Sequence, residues 1–343
     1  MFSKAAILGF VIVMTSALPS LAVDVWYEDN NLGRGGGMPA DFAEKFLHPE
    51  TFSEATKYIR VYMVRTQFMN AMDDQFLKTS FNQYLKKNNV KLALDAGGAT
   101  WARAEGRGKA TANELDLLKR LQGLGVKVDY ISLQSVLSKP LIKKDGQNMD
   151  YPMSMRIEDI VKYSKAVRAI YPQVEIGIID ALPSHGKDYQ QTYRQLKDAL
   201  THEGLELSYI HLDMPFEHIK EQQHGITWQM VRGVEQYVED ELRVKFGLLA
   251  TSSKGGHSSS KAYHHAVMAA LKCYSGADGT PHDFIIASWF PYPEKTIPET
   301  AMGDDYPTMR TVKEFGRQLD LIEKNEARSV FADQSSWAAM CTR

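Results

Sequence analysis

The sequence predicts a single α/β domain, a (β/α)8 TIM barrel, on three observations. Eight short β-rich runs recur with centres about 31 to 47 residues apart, close to the length of one βαβ unit. Helical patterns fill the gaps, and strict alternation of strand and helix implies a parallel sheet with helices outside it. The competing open doubly wound sheet needs a glycine-rich turn leading straight into a long helix, with an acid about 20 residues on. Gly33–Gly37 is glycine-rich, but neither feature follows it. Eight units therefore close into a barrel.

The runs are Val25–Tyr27, Ile59–Val64, Lys91–Leu94, Lys127–Leu133, Val174–Ile179, Leu207–Leu212, Lys245–Leu249 and Asp283–Ser288. Val, Ile, Leu, Phe and Tyr dominate them, as expected of parallel strands buried on both faces. Short helices at Pro39–Phe46 and Thr51–Lys57 fit the first gap, and Asp74–Asn88 the second. Thr111–Leu124 stops at Gly125, Arg156–Tyr171 before Pro172, and Asp188–Glu203 before Gly204, each an expected terminator. Trp228–Val244, Ser258–Tyr274 and Tyr306–Lys324 complete the set, with Ser252–Ser260 read as a flexible loop.

Residues 1–22 read as a secretory signal peptide. Lys4 is the positive n-region, Ala5–Thr15 the apolar core, and Ser20 and Ala22 the small residues before the cut. The barrel domain with its C-terminal tail then spans 23–343, and the expected location is secreted or periplasmic. The apolar run is shorter than the roughly 20 residues of a membrane span, and the mature chain offers no transmembrane candidate. With 40 basic and 42 acidic residues, the chain has no charge excess to attract nucleic acid. Export permits a disulfide between Cys273 and Cys341, but spacing alone leaves two separate thiols equally open.

In this fold the chemistry sits at the C-terminal ends of the strands. Those ends carry Glu28 and Asp29, Arg65, Asp95 with Gly97, Gly98 and Trp101, Gln134, Asp180 with His185, His211 and Asp213 with Glu217, Thr251–Lys254, and Trp289. Several acids in one cleft repel one another, so some must hold a proton or bind a partner. Carboxyls kept at different pKa values can divide acid and base roles. Asp213, Asp180 and Asp95 are therefore the catalytic candidates. Glu28, Arg65, Gln134, His211 and Trp289 are the substrate-binding candidates, Trp289 as a stacking platform. Each acid also has a structural reading as a helix N-cap. His185, His211 and His257 lack tight ligand spacing, so no metal is expected; no Walker or zinc motif implies a cofactor.

The eight-strand pattern, the rim acids and Ser288-Trp289-Phe290-Pro291-Tyr292-Pro293 together resemble secreted glycoside-hydrolase-like TIM barrels. Pro39-Ala40-Asp41-Phe42 through Val61-Tyr62 looks like the opening of such bacterial barrels. The resemblance implies an oligo- or polysaccharide partner and hydrolysis by two carboxylates. The large retaining clan carries an Asn-Glu after strand four and a Glu after strand seven. Here those strands end Ser132-Leu133-Gln134 and Ala250-Thr251-Ser252. The D-x-D-x-E run of chitinase-like barrels is absent from strand four as well. Two readings follow: a glycoside hydrolase using rim carboxylates, or a saccharide-binding barrel without turnover in a polysaccharide system. A lyase is a third option, needing a His or Tyr base beside a group that neutralises a uronate.

Overall fold

The computed structural model describes residues 23–32, 37–99, 108–141, 147, 151–182, 188–324 and 341. The signal segment 1–22, Gly33–Gly36, Trp101 and His185 lie outside the described residues.

Eight strands form a closed barrel: β1 Asp24–Glu28, β2 Ile59–Arg65, β3 Lys91–Ala96, β4 Tyr130–Gln134, β5 Glu175–Asp180, β6 Tyr209–Leu212, β7 Lys245–Ala250 and β8 Asp283–Ile286. Each pairs in parallel with the next, and β8 returns to β1 through Val25 opposite Phe284. All eight expected runs are strands. The fourth starts later than expected, at Tyr130, because Asp129 is used before the strand begins: its carboxylate accepts the Leu92 amide at 3.1 Å.

Helices cover the outside. The expected Asp74–Asn88 helix is continuous but contains a π-turn at Leu77–Phe81, and Trp228–Gln236 runs into another at Tyr237–Glu241. Helices also occupy Gly108–Gly123, Met153–Ile170, Tyr189–His202 and Thr308–Glu323. The stretch read as a flexible loop is instead a short helix, Ser253–Ser258, followed by the long helix Ser260–Gly276. Its serines are caps: Ser252 Oγ accepts the Gly255 amide at 2.9 Å, and Ser259 Oγ accepts Ala262 at 3.0 Å. Serine at an N-cap satisfies amides that the helix leaves open.

Two apolar layers result. The larger lies between barrel and helices. The smaller fills the barrel with one or more side chains per strand: Trp26, Met63, Ala93, Tyr130, Ile179, Tyr209, Leu249 and Ile285. Successive strand residues face opposite ways, so these eight identify the inward row of every strand.

Cys273 and Cys341 form a disulfide with their Cα atoms 5.5 Å apart, tying the tail to helix Ser260–Gly276. The bridge spans 68 positions. A loop of that size predicts that Cys341→Ser lowers unfolding free energy by about 2–4 kcal/mol. Denaturant titration checks this, and unchanged stability would show that the bridge constrains little. Among the described residues, no helix is long and apolar enough to cross a membrane.

Candidate functional site

Following each inward row to its C-terminal end gives the mouth of the barrel. Glu28 follows Trp26, Arg65 follows Met63, Asp95 follows Ala93, and Trp289 follows Ala287. Gln134 and Asp213 lie four residues beyond Tyr130 and Tyr209, on the same faces. Six of the eight predicted site residues are therefore brought to one mouth.

Arg65 bridges two of the acids. Its Nε is 3.3 Å from Glu28 Oε1 and 3.7 Å from Asp95 Oδ2, and all three side chains are largely buried. Glu28 and Asp95 therefore meet at one guanidinium. Burial is the main force raising Glu28, to about 8. Arg65 opposes it, while the charges of Asp95 and Asp29 add to it. Asp95 is raised by burial as well, against the charges of Arg65 and Lys139.

Asp213 stands on the other wall, partly exposed to the mouth. Burial and then the charge of Asp180 push it up to about 7, with Arg65 opposing and Asp95 adding. Its Oδ1 has no hydrogen-bond partner among the described residues. A carboxyl poised near neutrality, on a side chain partly open to the mouth, suits proton transfer.

Two sequence candidates are placed elsewhere. Asp180 follows the outward row of Ile176 and Ile178, and Tyr193 on helix Tyr189–His202 donates to its Oδ2 at 3.0 Å. It acts on the mouth through its charge on Asp213 and its carbonyl, which accepts the Asp213 amide at 2.7 Å. His211 faces inward but two residues too early, so it lies inside the barrel with no exposed surface. There its Nε2 pairs with Asp283 Oδ2 at 3.3 Å, and its ring sits edge-on to Trp26. Burial would raise Asp283, but hydrogen bonds from His211 and His282 outweigh it and hold Asp283 at about 2. That network is built into the barrel interior, below the mouth.

Several other rim acids serve the frame. Asp29 faces outward and accepts from Tyr27, Tyr62 and Lys45. Glu217 accepts Ser253 N at 3.1 Å and also binds Ser252 Oγ, closing the start of the short helix after β7. Glu114, which the sequence reading missed, fixes the loop after β3. It accepts from Gly97 N, Gly98 N, Thr66 Oγ1 and Tyr163 OH at 2.8–3.0 Å. A Cβ at position 98 would lie 2.3 Å from its Oε2, so a side chain there would displace the Glu114 carboxylate. Its position in the first turns of the helix after β3 was the available signal, because those turns face the same rim.

A cleft of about 270 Å³ opens beside Arg65 and Asp95, lined also by Gln67, Asn70, Asn113, Gln134 and Lys139. Four of these are carboxamides, which both donate and accept hydrogen bonds. A larger groove, about 880 Å³, lies outside the barrel between residues 46–56 and 79–88 and contains none of the mouth side chains. Trp289 packs on the inner cluster and lies 5.2 Å from Phe290 between ring centroids. Among the described residues, no group of three or more His, Cys, Asp or Glu is arranged to hold a metal.

By fold, this chain is a TIM barrel. Among solved structures it is similar to a psychrophilic glycoside hydrolase family 10 endo-beta-1,4-xylanase, at 11% identity and a TM-score of 0.50, over 86% of this chain and 97% of that one. It is similar to D-psicose 3-epimerase from Clostridium cellulolyticum H10, at 12% identity and 0.51, over 88% and 99%. A native xylanase 10C from Cellvibrio japonicus matches at 10% and 0.50, over 88% and 71%. At such identities the likeness is one of fold, and the fold hosts many chemistries. No family model and no curated protein matches the chain.

Proposed function

We propose that the chain is an exported carbohydrate-active barrel that hydrolyses a glycosidic bond in an oligo- or polysaccharide. The observation that carries this reading is the mouth itself. It gathers Glu28, Asp95 and Asp213, three carboxyls whose pKa values burial raises, beside a carboxamide-lined cleft and an aromatic platform. Glycoside hydrolysis needs one carboxyl to protonate the leaving oxygen and another to act on water or on the anomeric carbon. The xylanase and epimerase likenesses accord with a sugar in such a mouth. The Cys273–Cys341 bridge supports an oxidising, secreted or periplasmic location.

The test is release of reducing ends from a panel of polysaccharides, scored separately from binding. A second reading, saccharide binding without turnover, is favoured by one feature: the neutral Gln134 at the end of β4. Binding with no release from any polymer would select it over hydrolysis. Under either reading Trp289→Ala is expected to weaken saccharide binding about tenfold, near 1.4 kcal/mol, through loss of ring stacking. Isothermal titration with a bound oligosaccharide measures it, and unchanged affinity would remove Trp289 from the site.

A further inference from the structure

The cleft beside Arg65 opens on the sector of the rim formed by β2, β3 and β4, across the ring from Asp213 after β6 and Trp289 after β8. Gln67 and Asn70 come from helix Thr66–Ala71, Asn113 from helix Gly108–Gly123, and Gln134 from the end of β4. Three separate rim segments thus send four carboxamides to one cavity. Among the described residues none of the four makes a side-chain hydrogen bond, although each carboxamide can donate two and accept two. That capacity is left to whatever fills the cleft.

The charged groups of the cleft are already engaged. Arg65 lies between Glu28 and Asp95, and the charge of Lys139 also acts on Asp95. Both oxygens of Glu114 are taken by Thr66, Gly97, Gly98 and Tyr163. Two cations, Arg65 and Lys139, therefore stand against three acids, Glu28, Asp95 and Glu114. A carboxylate, sulfate or phosphate on a ligand would meet no surplus of positive charge here. It would have to part Arg65 from its acids in a largely buried setting, a costly exchange. An ammonium would have to take Asp95 from Arg65 in the same way. Hydroxyl and amide groups need neither exchange.

We propose that this cleft is the specificity subsite of the mouth and takes one uncharged sugar ring, its hydroxyl or N-acyl groups hydrogen-bonded by Gln67, Asn70, Asn113 and Gln134. The assignment rests on the saccharide reading above and names its substrate class, a neutral glycan. The cavity of about 270 Å³ lies just under the roughly 300–1,000 Å³ of sites for drug-sized ligands. It holds a single ring, and the rest of the glycan extends across the mouth toward Trp289. Discrimination follows from the lining, because carboxamides that bond a sugar's hydroxyls are left unpaired by a ligand that lacks them.

Isothermal titration of the full chain tests this. Cello-, xylo- and chitooligosaccharides are the uncharged probes, and oligogalacturonate and oligoglucosamine the charged ones. At least one uncharged probe is expected to bind with an affinity that salt barely changes, and more tightly than either charged probe. Asn70→Leu/Asn113→Leu, at two exposed helix positions, is expected to weaken that binding about tenfold, through loss of one or two hydrogen bonds. Gln67→Leu, also exposed, gives the same reading should the double variant fail to fold. Tighter binding of oligogalacturonate, weakening as salt rises, would overturn the proposal whether or not sugars are released. So would tighter binding of oligoglucosamine, an uncharged probe whose affinity the folded variants leave unchanged, or binding of none of the probes. Binding of an uncharged probe with no release of reducing ends from its polymer would instead remove the hydrolase reading and leave the subsite standing. Release from a polyuronate alone would do the reverse.

Discussion

Asp213→Asn is expected to lower reducing-end release by about 10²–10⁴-fold, the usual contribution of a positioned acid or base. The change keeps the shape of the side chain and removes its proton chemistry. Stability is expected to move the other way. Burial and Asp180 raise Asp213 to about 7, so the folded chain binds a proton that the unfolded chain has already lost. The associated stability is fully present below the unfolded aspartate pKa and is lost as pH rises through about 7. An amide has no such titration, so the variant should melt higher than the parent above neutrality while turning over far less. Loss of stability sacrificed to function is common at active sites. Asp180→Asn is the comparison. It removes a charge that raises Asp213, so its acidic limb of kcat should shift to lower pH with turnover retained. Full activity in Asp213→Asn would remove Asp213 from the mechanism. Loss of activity in Asp180→Asn with no movement of the limb would show that Asp180 does more than set a charge.

Asp213 and Asp180 illustrate which parts of this molecule were legible in the sequence. Both end apolar strands, one reading Ile178-Ile179-Asp180 and the other His211-Leu212-Asp213. Strand length and spacing place both near the barrel rim, and both are there. The face is harder to read. Strands buried on both sides carry apolar residues in both rows, so there is no alternation to distinguish inside from outside. In β6 the polar atoms of Tyr209 and His211 mark the inward row, which leads to Asp213. In β5 Ile176, Ile178 and Ile179 occupy both rows without such a mark. Depth is the second hidden coordinate. His211 shares the row of Asp213, but two residues along a strand are about 6.6 Å, enough to put it inside the barrel instead of at its mouth. The triad of Glu28, Arg65 and Asp95 was visible only as three separate rim residues, because their contact depends on the register of β1, β2 and β3.

Asp29→Ala is expected to destabilise the fold by about 3–5 kcal/mol, the cost of leaving one member of a buried ion pair alone. Asp29 and Lys45 are fully enclosed, and Lys45 also lies 4.2 Å from the Phe42 ring centroid. The same carboxylate accepts from Tyr27 at 2.8 Å and from Tyr62, so its loss leaves an ammonium and two hydroxyls without their acceptor. Burial already lowers the Lys45 pKa, with Asp29 opposing. Without Asp29 the folded chain should shed that proton more readily than the unfolded chain. The variant should then regain stability as pH rises toward the ordinary lysine range. Asp29→Ala/Lys45→Met should recover much of the loss at neutral pH, since an apolar pair can replace a buried ion pair at little cost. Chemical denaturation across pH measures both, and a single variant as stable as the parent would show that the pair contributes nothing. The double variant also reaches the mouth. Asp29 is one of the charges that keep the proton on Glu28. A folded chain lacking it should release the Glu28 proton at lower pH, although residue 29 points away from the mouth.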